Sequence, residues 1–234
     1  MLDLSAIRAI GLDLDDTLWP IWPTIDKAEK ALQAWLRSHA PVSAALMADP
    51  AARHELREKT LADRPELAHN MSRVRLELIR LALTRSQENP ALAEPAFEVF
   101  FAARHDVTLF DDALHMLEFL SARYPVVALS NGNADVHRVG LGRYFKASFS
   151  AQAFGVGKPD PRIFHAAAAA ADTQAEQVLH IGDDAALDVL GALGCGMQTV
   201  WVNREDHVWT HEDQPHETVT SLAELTELFV HPAR

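Results

Sequence analysis

The 234-residue chain contains one cysteine, Cys195, so no disulfide framework braces it. Long apolar runs are missing as well. The longest, Ala166–Ala171, falls far short of the roughly 20 residues that cross a bilayer. The first ten residues carry Asp3 and Arg8 and no long apolar stretch, so no signal peptide is visible and a cytoplasmic protein with no membrane partner is expected. Basic residues are scarce: 21 Lys and Arg stand against 33 Asp and Glu, for a net charge of −12. A protein that neutralises many phosphates needs a basic face, so this balance argues against a nucleic-acid partner. The same field repels small anions, and any anion site has to be built locally from a bound cation, a lysine and backbone N–H groups. What is abundant is apolar surface. A hydrophobic content of 48% excludes a disordered chain and suffices for a core plus a small second unit.

The segment Ile7–Asp15 is short, rich in Ile and Leu, and ends in acids; it reads as a buried strand. From about Trp19 to His105 helical periodicity replaces it. Ile25, Ala28, Leu32, Trp35 and Leu36 recur at spacings of three and four, and Leu67, Met71, Val74, Leu78 and Leu81 form a near-heptad stripe. Prolines at 41, 50, 65, 90 and 95 divide this stretch into four or five helices. After Asp106 strands and helices alternate. Strands are expected near Val126–Leu129, Ala147–Phe149, Val178–Ile181 and Thr199–Val202. Helices are expected near Ala113–Arg123, Val136–Arg143, Asp160–Ala171, Ala185–Leu193 and Leu222–Phe229, and His207–Glu217 reads as a polar surface loop. Such alternation predicts an α/β fold with a parallel, doubly wound sheet. The first strand belongs to that sheet, so residues 1–18 and 106–234 form a Rossmann-like core and residues 19–105 an inserted all-α domain.

In a doubly wound sheet the ligand site lies outside the carboxyl ends of the strands. Four polar clusters fall there: Asp13-Leu14-Asp15-Asp16-Thr17-Leu18, Ser130-Asn131-Gly132, Lys158-Pro159, and Gly182-Asp183-Asp184 with Asp188. Asp13 and Asp15 lie two apart, so on extended backbone they point the same way. Joined by Asp183 they make an oxygen-rich pocket suited to Mg2+. A carboxylate is also a competent nucleophile at phosphorus, and a second beside it can trade a proton with the leaving group and then with water. Ser130 offers a hydroxyl to a phosphate oxygen, Asn131 and Gly132 offer backbone N–H groups, and Lys158 offers a point charge.

Taken in this order, the four motifs resemble those of the haloacid dehalogenase-like hydrolase superfamily, over about residues 5–18 and 106–203. The helical insertion resembles the superfamily's alpha-helical cap. The resemblance implies that Asp13 is the nucleophile and a Mg2+ ligand. It implies that Asp15 is the general acid/base and binds Mg2+ through its backbone carbonyl, with Thr17 beside it. Ser130 and Lys158 would bind the phosphoryl group and Asp183 would complete the metal shell. Asp188 would orient the site, and Asp184 would act directly or through water. True dehalogenases of the superfamily lack the second aspartate of the first motif, so Asp15 points to phosphoryl chemistry. The expected activity is Mg2+-dependent hydrolysis of a small phosphate monoester through an aspartyl-phosphate. The alternatives are a phosphomutase, a phosphonatase or a non-catalytic regulatory module, and neither the ester nor the oligomeric state is specified.

Other residues admit structural readings. Asp183 fits a helix N-cap, and Trp19 suits either a hinge or a stacking surface. Asn70, Arg73 and Arg75 lie off the apolar stripe, facing either solvent or a leaving group. His180 reads as a core histidine and Cys195 as a small buried filler. His207, His211 and His216 sit in a loop that does not align them for a transition metal.

Overall fold

The computed structural model describes residues 1–67 and 70–231. The chain divides into two compact units, Met1–Pro20 with Thr108–Arg234, and Ile21–Val107; both divisions fall two residues beyond those expected from the sequence.

In the first unit the strands are β1 (Ala9–Leu12), β2 (Val126–Ser130), β3 (Ala147–Ser150), β4 (Val178–Gly182), β5 (Gln198–Val202) and β6 (Glu217–Val219). Among the described residues they form one parallel six-stranded sheet in the order β3-β2-β1-β4-β5-β6. β1, β2, β4 and β5 are buried along their whole length, which is why apolar residues dominate them. The order reverses at β1, so the clefts at its carboxyl end are the natural ligand position. Ile163, Phe164, Ala167 and Ala168 of the helix Pro161–Ala170 pack on Ala9, Val127 and Val178 of the sheet. Phe119, Tyr124 and Phe229 interlock edge-to-face where the helices Ala113–Ser121 and Leu222–Val230 meet.

Three local expectations need correction. Residues 136–140 form turns instead of a helix, followed by a 3-10 turn at Gly142–Tyr144. Gly140 takes φ 86°, a left-handed conformation that ends helical winding. The polar stretch ending at Glu217 leads into β6, a further strand paired with β5 where only a loop is expected. The segment after Asp184 is a π-helical turn, Ala185–Leu190, continuing into a short helix at Gly191–Leu193.

The second unit comprises, among the described residues, the helices Ile21–His39, Pro41–Ala48, Pro50–Asp63, Met71–Arg85 and Ala93–Arg104. Pro41 and Pro50 open their helices, where a missing N–H costs nothing. The core joins Ala28, Leu32 and Leu36 to Met47, Leu56, Ile79, Leu83 and Phe100. The Met71–Arg85 helix is rotated from the expected stripe: Met71 is exposed and Leu81 half-buried, while Ile79, Ala82 and Leu83 face inward. Asn70 caps that helix by accepting from Arg73 N at 2.9 Å. Arg75 pairs with Glu29 at 2.6 Å and lies over the Phe100 ring, whereas Arg73 is exposed. Among the described residues no helix is long and apolar enough to cross a membrane.

Candidate active site

The chain leaves β1 at Asp13, whose N–H donates to Ile181 O at 2.9 Å, and so runs on beside β4. It then turns tightly. Asp16 takes φ 59°, a conformation aspartate tolerates better than most residues. Asp16 N donates to Trp19 O and Leu18 N to Leu14 O, each at 2.8 Å. The turn aims Asp13 inward. The hydroxyl of Thr17 lies 3.1 Å from Asp13 Oδ2 and 3.2 Å from Asp183 Oδ1, so it serves these two carboxylates and not Asp15.

Lys158 is the hub. Its ammonium donates to Asp13 Oδ1 and to Asp188 Oδ1, both at 2.5 Å, with the side chain only 2% exposed. Asp188 Oδ1 accepts as well from His180 Nε2 at 2.7 Å. Gly182 makes room for this arrangement, because a Cβ there would overlap the Asp188 carboxylate. Asn131 braces Lys158 from the β2 side. Its Nδ2 donates to Lys158 O and its Oδ1 accepts from Lys158 N, both at 2.7 Å. Asn131 is therefore joined through its side chain to the Lys158 backbone, a use that its place in the sequence does not suggest. Ser130 is buried, and its Oγ accepts from Gly132 N at 2.9 Å. This occupies one of the N–H groups expected to face a phosphate.

One oxygen each from Asp13, Asp183 and Asp188 lie within 4.8 Å of one another, the cluster of metal-ligating type found among the described residues. The sequence gives Asp188 an orienting role and offers Asp13, Asp15 and Asp183 as ligands. Here Asp188 joins the cluster, while Asp15 turns its carboxylate to Trp19, whose Nε1 donates to Asp15 Oδ1 at 2.8 Å. Asp184, not Asp183, caps the following turn, accepting from Ala186 N and Leu187 N at 2.8 Å. The histidines of the 203–216 loop do not converge: His216 Nδ1 accepts from Thr199 N and His211 packs edge-on against Trp209.

The electrostatics follow from burial. Burial, with Asp188 and Asp183 nearby, holds the Asp13 carboxyl well above the usual carboxylate range despite the opposing pull of Lys158. Burial pushes Asp183 up to about 7, helped by the charges of Asp188 and Asp16. Burial also opposes ionisation of Asp188, but Lys158 and His180 outweigh it and hold its carboxyl below the usual range. Burial works against the charge of Lys158 too, yet Asp13 and Asp188 raise its pKa. Burial lowers His180, which favours the neutral ring. Among the described residues of this cluster, three carboxylates face one ammonium, so two negative charges stay uncompensated when all are ionised. The donors are hard oxygens, and the missing charge is that of one divalent cation. The residues thus fit a magnesium ion.

Sequence reasoning missed the supporting side chains. Trp19 is fully buried, which removes it as a stacking surface. Trp201 Nε1 donates to Asp183 O at 2.6 Å and so holds the loop that carries that carboxylate. His180 was legible in principle. Strand alternation puts it on the same face of β4 as Gly182, and Asp188 fills the space left there.

The family model for haloacid dehalogenase-like hydrolase matches residues 7–196. The chain belongs to this hydrolase family. Within it, the chain is 30% identical to 5-amino-6-(5-phospho-D-ribitylamino)uracil phosphatase YigB of Escherichia coli strain K12, covering 96% of this chain and 97% of that protein. It is 32% identical to the phosphoserine phosphatase of Thermus thermophilus, over 64% of this chain and 63% of that protein. A crystal structure described as a 2-haloacid dehalogenase from Pseudomonas syringae pv. Tomato DC3000 superposes with a TM-score of 0.90 at 34% identity, covering 97% of this chain and all of that one. The fold is that of the family: a parallel sheet with flanking helices.

Proposed function

We propose that this protein is a Mg2+-dependent phosphatase of a small phosphorylated metabolite. The observation that carries the reading is the pairing at the end of β1. Asp13 is buried against Lys158, and Asp15, two residues on, has its carboxylate held by an indole N–H. An alkoxide leaving from phosphorus is strongly basic and needs a proton, and Asp15 is the carboxyl that would give it. A halide leaving from carbon needs none, so a dehalogenase has no need of a general acid for its leaving group. The uncompensated negative charge of the cluster adds support, because it calls for a cation that also suits an anionic substrate. The relation to YigB and to a phosphoserine phosphatase points the same way.

In the first step an Asp13 oxygen bonds to phosphorus and the ester P–O bond breaks. The electron pair goes to the departing oxygen, which takes a proton from Asp15. In the second step water attacks phosphorus and gives a proton to Asp15, and the electron pair of the acyl phosphate bond returns to Asp13. Lys158 and Ser130 bind the phosphoryl group and Lys158 offsets its growing charge. Asp13, Asp183 and Asp188 would hold the magnesium ion, with the Asp15 carbonyl completing the set. When bound, it supplies positive charge against the phosphate oxygens.

The dehalogenase reading is favoured by the similarity to the Pseudomonas syringae structure and to two (S)-2-haloacid dehalogenases, 33% and 30% identical over about half of this chain. One panel separates the two. Phosphorylated metabolites, among them 5-amino-6-(5-phospho-D-ribitylamino)uracil, and a 2-haloacid are offered with and without Mg2+ to the wild type and to Asp13→Asn. Phosphate release that needs both Mg2+ and Asp13 is expected. Halide release without phosphate release would overturn the proposal.

A further inference from the structure

We infer that Trp19 is a positioning residue for Asp15, fixing the orientation of its carboxyl through the hydrogen bond from the indole N–H to Oδ1. The inference rests on the phosphatase reading above for the role of Asp15, but the contact itself does not. Trp19 has no exposed surface and is among the largest fully buried side chains. A buried indole carries one N–H and no acceptor, and leaving that N–H without a partner is costly. A phenylalanine would fill such a site without the penalty. Trp19 meets the demand with Asp15 Oδ1 at 2.8 Å, a hydrogen bond to a carboxylate and so stronger than one between neutral groups.

The indole is a firm support because its own backbone is fixed. Asp15 and Trp19 face each other across a β-bridge, and Asp16 N donates to Trp19 O at 2.8 Å. Asp16 at φ 59° closes the turn that brings the two together. Thr17, which also lies in this turn, directs its hydroxyl to Asp13 and Asp183. The two partners thus divide the work: Thr17 serves the nucleophile and the cluster, and Trp19 serves the acid. A carboxyl anchored in this way keeps one orientation, as proton transfer in the transition state requires.

The test is single-turnover release of the leaving group from a series of phosphate esters in the presence of Mg2+, for the wild type and Trp19→Phe. General acid catalysis contributes about 10²- to 10⁴-fold, and a carboxyl that has lost its support forfeits part of that. Trp19→Phe is expected to slow release from alkyl phosphates by about 10- to 100-fold. With 2,4-dinitrophenyl phosphate, whose leaving oxygen needs no proton, the loss should be about twofold or less. In an Asp15→Asn background the same substitution should cost nothing further. Where Trp19→Phe fails to fold, site-specific replacement of Trp19 by benzothienylalanine keeps the ring shape and removes only the N–H. An equal loss across all esters, or an undiminished loss in the Asp15→Asn background, overturns the inference while leaving the phosphatase reading intact. A wild type inert on every ester sinks that reading and takes this inference with it.

Discussion

Replacing Lys158 with methionine tests the buried charge balance directly. The ammonium lies 2.5 Å from Asp13 Oδ1 and 2.5 Å from Asp188 Oδ1, out of reach of solvent. Methionine keeps most of the apolar stem and removes the charge. In metal-free buffer two carboxylates then meet with no cation between them. Removing one partner of a buried ion pair costs about 3–5 kcal/mol. A second route gives the same size. The repulsion is relieved when Asp188, which Lys158 helps to keep ionised in the wild type, takes up a proton; against an unfolded carboxyl of pKa about 3.9 this costs about 1.4 kcal/mol per pH unit, or roughly 4 kcal/mol at pH 7. At roughly 2–4 °C per kcal/mol for a chain of this size, the melting temperature falls by roughly 8–16 °C. Near pH 7 the variant's folded state binds one proton more than that of the wild type, so its stability declines as pH rises. The deficit should therefore shrink to about 2 kcal/mol at pH 5.5. Thermal denaturation followed by circular dichroism at both pH values measures this. A deficit under about 1 kcal/mol at pH 7, or one that does not narrow toward pH 5.5, would refute the charge balance drawn for the site.

Three further outcomes are expected. Mg2+ at about 100 times its Kd should stabilise the protein by about 2.7 kcal/mol, roughly 5–10 °C in melting temperature, and Asp183→Asn should abolish most of that shift. Gly182→Ala drives a methyl group into the Asp188 carboxylate, so kcat on the preferred ester should drop by about 100-fold; an unchanged kcat would show that Asp188 has room to move. Asp112 accepts from Arg204 Nη2 at 2.9 Å and from Leu222 N at 2.8 Å, and although burial works the other way, these partners hold its carboxyl below the usual range. Asp112→Asn should thus cost about 1 kcal/mol in urea denaturation at neutral pH. The stability it removes is complete above about pH 4, where the unfolded carboxyl is ionised, and is lost as pH falls through the lower folded value, so the gap should close there.

The sheet was legible because a strand buried on both faces is predominantly apolar, and the first carboxylate after it marks its end. Asp13 after β1 and Asp183 after β4 announce themselves in this way. β6 was not legible, since Glu217-Thr218-Val219 is three residues long and largely exposed on its polar members. The stretch 136–143 has a helix-like apolar spacing, but Gly140 and Gly142, both poor helix formers, undo it, Gly140 in a left-handed conformation. The Met71–Arg85 helix lies where its periodicity predicts, but turned about its axis. The pattern starts at Leu67, which lies in the separate 3-10 turn Pro65–Leu67, so its first members do not share one helix; Met71 opens the helix exposed, and Ile79 is buried beside Leu78.

The site divides along the same physical line. Charged residues at strand ends stand out against an apolar background, whereas the groups that hold them look like ordinary core. Trp19 reads as packing until the turn at Asp16 is known to bring it back beside Asp15. Asn131 reads as a turn residue until its amide is seen bonded to both backbone groups of Lys158, 27 positions away. His180 is the intermediate case. Alternation already sets it on one face with Gly182, and a glycine beside a buried histidine on a central strand leaves a gap that some side chain must fill. Asp188 is the acid within reach of that gap, and its carboxylate meets both His180 and Lys158 there. The missing side chain at Gly182 is therefore as much a part of the site as the carboxylates, and it is the one feature of the supporting set that strand periodicity alone could have exposed.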